Sequence, residues 1–336
     1  MKAMLLRGVS SFTQNPEPLV YSEVPDPQVN ADELLIRVSR CGVCHTELDE
    51  IEGRTPPPRF PIIPGHQVIG RIMNGPKNGQ RVGVAWIASA CGICEYCSIG
   101  LENLCPEFKA TGRDVDGGYA SLMKVRSEFV HPIPDAISDS EAAPLLCAGA
   151  IGFRSLRLSK IDNGKSLGLM GFGSSNHLVL KLAKQEFPHT AVFVFSRNQK
   201  EREFALSLGA TWAGGIDKVP PQALDAIIDT TPVWSPILKA LLRLKPGGRL
   251  VINAIRKEDT DKHALLDLDY PSQWWMEKEV KSVANVTRAD VRDFLHIAAQ
   301  SGIKPEYEEY ELQDANQALS DLKQGTIRGA KVLCVH

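Results

Sequence analysis

Ser166-Leu167-Gly168-Leu169-Met170-Gly171-Phe172-Gly173-Ser174-Ser175-Asn176 is the stretch that decides the fold of the second half of the chain. Its first five residues are apolar or small, as in a strand buried on both faces. Two glycines then break the run. Leu178, Val179, Leu182 and Ala183 follow at helical spacing, which predicts a helix over 176–186. Strand, glycine turn and helix in that order are what a dinucleotide phosphate turn requires. Gly171 allows the tight bend, and Gly173 lets a pyrophosphate approach the backbone. Ser174 opens a helix whose N-terminus favours the phosphate charge. Asn176 stands where the usual fingerprint has a third glycine. A glycine turn alone is a weak signal; the βα unit that follows strengthens it.

Downstream, 191–195 reads as a second strand, rich in β-branched and aromatic residues, and 200–208 as a second helix closed by Gly209. Further strands are expected at 226–228 and 250–253. Alternation of this kind implies a parallel, doubly wound sheet of βαβ units. Thr287 with Asp290 reads as a capping box for a helix through Ala299, and 313–324 as another helix, stopped by Gly325. Upstream the texture differs. Residues 1 to about 140 are rich in Pro and Gly and hold short apolar runs, such as 33–38 and 80–85. That favours a β-rich barrel or sandwich. Pro56, Pro57, Pro58, Pro61 and Pro64 mark an extended loop. The expected class is α/β. A β-rich domain of 1–149 and 285–336 is interrupted by a doubly wound domain of 150–284.

The 336 residues suffice for two cores. A formal net charge of -2 with no basic run argues against nucleic acid. The first apolar stretch is too short for an export signal, and no run approaches the roughly 20 residues that span a bilayer. A cytoplasmic location is the default expectation.

Eight cysteines are present, and six fall in two tight groups. In a reducing compartment such groups bind metal more often than they form disulfides. Cys91-Gly92-Ile93-Cys94-Glu95-Tyr96-Cys97 with Cys105 puts four thiols in one loop. Four thiolates at tetrahedral corners, with no open position, make a structural zinc site. An iron–sulfur cluster is the other four-thiolate option.

The remaining segments are weaker by themselves. Cys41-Gly42-Val43-Cys44-His45-Thr46-Glu47 also fits a haem attachment pattern or a redox pair. Export is needed for the first and a βαβ context for the second. Pro64-Gly65-His66-Gln67 holds one histidine, and Ala143-Pro144-Leu145-Leu146-Cys147-Ala148-Gly149 one cysteine. A lone cysteine in an apolar stretch is usually a small core residue. Spacing does not join the three segments.

Taken in order from Glu33 to Arg328, these segments resemble zinc-dependent alcohol dehydrogenases of the medium-chain dehydrogenase/reductase superfamily. Trp86 and the short loops resemble the bacterial and yeast tetrameric members. The resemblance implies a GroES-like catalytic domain plus a Rossmann cofactor domain. It implies two zinc ions: a structural one on Cys91, Cys94, Cys97 and Cys105, and a catalytic one on Cys44, His66 and Cys147. The catalytic ion would keep one position for water or the substrate oxygen. Cys41 is then a neighbour rather than a ligand. Glu47 would support the histidine, Thr46 would pass on the alcohol proton, and zinc would lower the pKa of the bound alcohol. Two departures stand out: Asp49 replaces the histidine that ends the proton relay in many members, and Gln67 replaces a glutamate. The implied reaction is reversible hydride transfer between a small primary alcohol or aldehyde and a nicotinamide cofactor.

At the end of the second expected strand, Phe195-Ser196-Arg197-Asn198 contains no acid. An acid there binds the ribose hydroxyls of NAD. Ser196 and Arg197, with Lys200, suit a 2′-phosphate instead, so NADP(H) is favoured and NAD(H) is the alternative. By resemblance Arg328 lies near the pyrophosphate, Val286 near the nicotinamide, and Trp86 lines the substrate pocket. No membrane partner is expected; a homo-oligomer, dimer or tetramer, is.

Overall fold

The computed structural model describes residues 1–325 and 329–336. The chain divides into two compact units, Met1–Ala150 with Val286–His336, and Ile151–Asn285.

The second unit is built on six parallel strands. In chain order they are Ser166–Met170, Ala191–Phe195, Trp212–Gly214, Leu224–Asp229, Leu244–Ile252 and Glu279–Ser282. Numbered one to six, they lie 3-2-1-4-5-6 across the sheet. This is the doubly wound Rossmann order, with its switch point between the first and fourth strands. All five residues of the first strand are buried, as a sheet covered on both faces demands. The helix Ser174–Glu186 covers it with Leu178, Val179, Leu182 and Ala183. Asn198 caps the helix Gln199–Ser207 by accepting from the Lys200 N–H. The sequence pattern passes over the helix Ser235–Arg243, which starts with Pro236 in its first turn and buries Ile237, Leu238 and Leu241. It also passes over two edge strands. Trp212–Gly214 is too short to show a period, and Glu279–Ser282 is mostly exposed.

The first unit is the expected β-rich, GroES-like domain. Its largest sheet runs Tyr307–Glu311, Ala330–Cys334, Glu33–Val43, Gln67–Ile72, Arg81–Val84, Val130–Pro132, with Leu122–Arg126 also on Glu33–Val43. Glu33–Val43 is the organising element. Residues Glu33 to Arg37 pair with Leu122–Arg126, the middle pairs with Gln67–Ile72, and Arg40 to Val43 pair with Ala330–Cys334. A register shift between Val38 and Arg40 bends the strand so that it can serve all three. Cys41 faces Val68 and Gly42 faces Gln67 across the antiparallel ladder. Just past that pair, the chain delivers Cys44, two residues after Gly42, on one side and His66, one residue before Gln67, on the other.

The C-terminal return matches the sequence reading closely. The helix Arg288–Ser301 begins with the Thr287–Asp290 capping box and stops at Gly302, and the helix Ala315–Gln324 stops at Gly325.

His131, on the strand Val130–Pro132, is buried, and burial with Arg288 and Arg292 nearby pushes its imidazole down to about 4. It therefore folds neutral, and its contribution to stability is complete above its ordinary value of 6.5. As pH falls from 6.5 toward 4, the unfolded chain takes up the proton first and stability drops, by about 3 kcal/mol at most. Urea unfolding of wild type and His131→Gln across pH 4–7 should show this acid loss in wild type and its reduction in the variant.

Candidate metal centres and cofactor turn

The four thiols Cys91, Cys94, Cys97 and Cys105 come together, with all four sulfurs within 4.8 Å of one another. The local backbone explains why. Gly92 and Gly100 adopt φ of 78° and 72°, conformations that favour glycine, and so fold the loop back on itself. Cys94 caps the short helix Glu95–Ser98, which carries Cys97, and Cys105 ends the 3₁₀ turn Glu102–Leu104. The Cys94 N–H points at the Cys91 sulfur at 3.3 Å, and the Cys91 N–H at the Cys105 sulfur at 3.4 Å. No disulfide forms. Backbone N–H groups of Ile93 and Cys94 pull the Cys91 thiol down to about 7. Burial and the three neighbouring sulfurs push Cys97 up to about 12. Four crowded sulfurs cannot all ionise alone, and a bound dication removes that conflict. The donor set fits zinc.

Buried Glu102 ties this loop down. Its carboxylate accepts from the Arg288 backbone N–H at 2.7 Å and from the guanidinium at 3.1 Å. The same guanidinium lies over Phe129, 5.0 Å from the ring centre.

The second group joins residues from three separate segments. Cys44 caps the helix His45–Ile51, His66 precedes the strand Gln67–Ile72, and Cys147 sits in the π-helical turn Leu145–Gly149. Their ligand atoms lie within 4.8 Å of one another. Pro144 ends the preceding helix, and the wide π turn swings Cys147 into place. Gly65, at φ 99°, makes the bend before His66; a Cβ there would strike the Tyr119 ring at 2.4 Å.

Glu47 fixes two of the three ligand-type residues at once. One oxygen lies 2.5 Å from His66 Nδ1, and the other accepts the Cys44 backbone N–H at 2.8 Å. With Nδ1 engaged, the other nitrogen of His66, Nε2, is buried and has no partner in the chain. Burial opposes charge on His66, yet the Glu47 carboxylate and Cys44 raise its basicity well above the ordinary value. A hydrogen bond from the Cys147 thiol holds Cys44 well below the usual thiol range, and the same bond with burial drives Cys147 up. The Cys44 sulfur thus favours its thiolate form beside an orphaned imidazole nitrogen. Two sulfurs and one nitrogen form a donor set that fits zinc with a position to spare. Among the described residues Cys41 joins neither group.

The other candidates fall as follows. The Thr46 hydroxyl is 3.6 Å from the Cys44 sulfur. Asp49 is buried and holds Arg54 at 2.5 Å, while Arg54 also pairs with Glu52. Trp86 is buried against Phe108, ring centres 5.2 Å apart. Val286 is buried at the start of the C-terminal return. Arg328 lies outside the described residues.

In the second unit, Gly171 turns with φ 77°, and its N–H donates to the Phe195 carbonyl at 2.8 Å. Gly173 precedes the helix with open space where a Cβ would be. Asn176 does the work of the missing third glycine differently. Its buried amide donates to the carbonyls of Met170 and Gly171 at 3.1 and 2.8 Å and to the Thr230 hydroxyl at 3.1 Å. That bolts the turn to the first and fourth strands.

At the end of the second strand, Ser196 is buried and its hydroxyl donates to Glu201 at 2.5 Å. So an acid is present near this point after all, supplied from the first turn of the next helix. It is committed to Ser196, while Arg197 and Lys200 are exposed. Arg202 is spent on the carbonyls of Ser196 and Arg197.

The alcohol dehydrogenase GroES-like domain model matches residues 30–135. A probable alcohol dehydrogenase, AdhA, of Mycobacterium tuberculosis is 40% identical, covering 100% of this chain and 97% of its own length. An alcohol dehydrogenase of Geobacillus stearothermophilus is 32% identical over 94% of this chain and 95% of its own. The solved cinnamyl alcohol dehydrogenase SbCAD4 of Sorghum bicolor superposes with a TM-score of 0.84, at 26% identity, covering 99% of this chain and 97% of that one. The chain belongs to the zinc-type medium-chain alcohol dehydrogenases. It is an oxidoreductase that interconverts alcohols and their carbonyl products.

For this dehydrogenase, elemental analysis should return two zinc ions per chain. Cys94→Ser should return one and lower the melting temperature by roughly 10 °C, because the loop loses the ion that closes it. Loss of no metal, or an unchanged melting temperature, would contradict the loop's assignment.

Proposed function

We propose that this dehydrogenase oxidises small primary alcohols and reduces the corresponding aldehydes at a zinc ion held by Cys44, His66 and Cys147. The observation that carries the reading is the orphaned Nε2 of buried His66, beside two sulfurs brought from distant parts of the chain. When bound, zinc supplies Lewis-acid polarisation of the substrate oxygen. The chain's own groups do the rest. Glu47 orients His66 and pins Cys44. The Thr46 hydroxyl takes the proton that leaves the alcohol. Asp49, one turn along the same helix and paired with Arg54, is the next acceptor. Trp86 narrows the pocket toward small or unbranched substrates.

The unit of Ile151–Asn285 would hold the nicotinamide cofactor. Gly171, Gly173 and Ser174 would cradle the pyrophosphate at the start of the helix Ser174–Glu186. Arg197 and Lys200 are the exposed cations at the strand end, and they favour NADP(H) over NAD(H). Ser196 contributes through its bond to Glu201, which shapes the turn. The enzyme acts as a dimer or tetramer of identical chains. Eight unpaired thiols suit the reducing cytoplasm, and among the described residues no helix is long and apolar enough to cross a membrane.

Cys44→Ser should abolish turnover on an alcohol and aldehyde panel while the chain keeps its fold and its four-cysteine zinc. Full activity in that variant would refute the assignment. Arg197→Gln should lower kcat/KM with NADP(H) by roughly tenfold or more, as loss of a charge-assisted phosphate contact does. The value with NAD(H) should stay within about twofold. A wild type that strongly prefers NAD(H) would overturn the cofactor choice.

A further inference from the structure

Lys257 follows the fifth strand of the second unit, in the charged run Arg256-Lys257-Glu258-Asp259. Such runs usually lie in water, but the Lys257 side chain is only 6% exposed. It faces Asp229, which is fully buried at the end of the fourth strand. An ammonium has three donors. Each finds an acceptor in one loop: the Asp229 carboxylate at 2.5 Å, the Thr231 carbonyl at 2.7 Å and the Val233 carbonyl at 3.2 Å. The other Asp229 oxygen accepts the Thr231 N–H at 3.1 Å and its hydroxyl at 2.7 Å. Burial pushes the Asp229 carboxyl up, and Lys257 with the Thr231 donors opposes the rise. A buried ion pair adds little net stability over apolar residues of similar volume, so this one calls for another reason. Its place supplies one. The fourth strand lies beside the first in the sheet, and the gap beyond their ends is the switch point where such sheets bind their ligand. Thr230 sits between two residues that the ammonium holds. Its hydroxyl donates to the Met170 carbonyl at 3.1 Å and accepts from the Asn176 amide at 3.1 Å. A Cβ on Gly171 would lie 3.0 Å from that hydroxyl and 3.3 Å from the Thr231 methyl. The loop that Lys257 clamps is therefore the one against which the glycine turn is packed.

We propose that Lys257 is a positioning residue for the nicotinamide cofactor, holding the loop 229–233 in the shape that supports the phosphate turn at Gly171 and Gly173. The proposal rests on the cofactor reading given above. Lys257 acts through the loop and not by touching the cofactor. A phosphate turn grips the cofactor equally before and during hydride transfer, so its support sets cofactor affinity and not the rate at saturation.

The test titrates NADPH and NADH into the zinc-loaded enzyme and follows turnover with the cofactor that wild type prefers. Lys257→Met alone strands a buried carboxylate and should melt lower for that reason. Asp229→Asn combined with Lys257→Met removes both charges, and should melt within about 5 °C of wild type because the pair adds little net stability. The combined variant should still bind the cofactor roughly tenfold more weakly or worse, with KM raised in step and kcat at saturation within about threefold of wild type. Thr230→Val leaves the ion pair whole and cuts its link to the turn; it should weaken cofactor binding by about threefold or more, and should add little to the loss in the combined variant, since the two act in series. Affinity within about twofold of wild type, either in the combined variant or in Thr230→Val, would overturn the proposal, as would a fall in kcat at unchanged affinity. A wild type that binds neither NADPH nor NADH would overturn the cofactor reading itself.

Discussion

The bridge made by Glu47 is the constraint on which the metal pocket depends. One carboxylate holds the backbone N–H of Cys44 and the ring of His66. It can do so because Cys44 caps a helix whose third residue is Glu47, closing a capping box. It also needs the antiparallel pairing of Cys41 and Gly42 with Val68 and Gln67 to bring His66 alongside. Local helix chemistry and long-range sheet register thus meet in one side chain. Removing it would leave a buried imidazole unoriented and an N–H unpaired, a change of the kind that costs about 3–5 kcal/mol.

Much of this was legible in the sequence, for physical reasons that differ by region. The strands Ser166–Met170 and Ala191–Phe195 lie as expected because fully buried parallel strands read as unbroken apolar runs. The capping box at Thr287 and the stop at Gly325 were readable because they are local backbone chemistry. The four-cysteine loop was readable because its ligands share one loop. The helix His45–Ile51 was not marked as one, since it is short and holds three charged residues, Glu47, Asp49 and Glu50, that end up buried. With that helix missed, Glu50 had no reason to be noticed. Had it been drawn, the i, i+3 spacing of Glu47 and Glu50 would have placed both on one face.

Glu201 escaped for a related reason. The rule that seeks an acid at the end of the second strand looks along the strand, whereas this acid returns from the next helix to reach Ser196. Asn176 shows the converse. The sequence shows only that Asn176 stands at the third glycine position; the structure adds three hydrogen bonds from its amide where glycine offers only room. Spacing rules register which residue is absent and not what its replacement binds.

The two metal groups also differ in what their ions must overcome. The cysteines from Cys91 to Cys105 enclose a short loop, so bringing them together costs little chain entropy, and an ion there closes a segment that Glu102 also ties to Arg288. Cys44, His66 and Cys147 span most of the N-terminal segment and meet only after the sheet and the π turn are in place. The ion therefore finds the second pocket already formed and oriented by Glu47. A pocket built by the fold can hold a metal without needing it to fold, and can leave one coordination position free for a substrate.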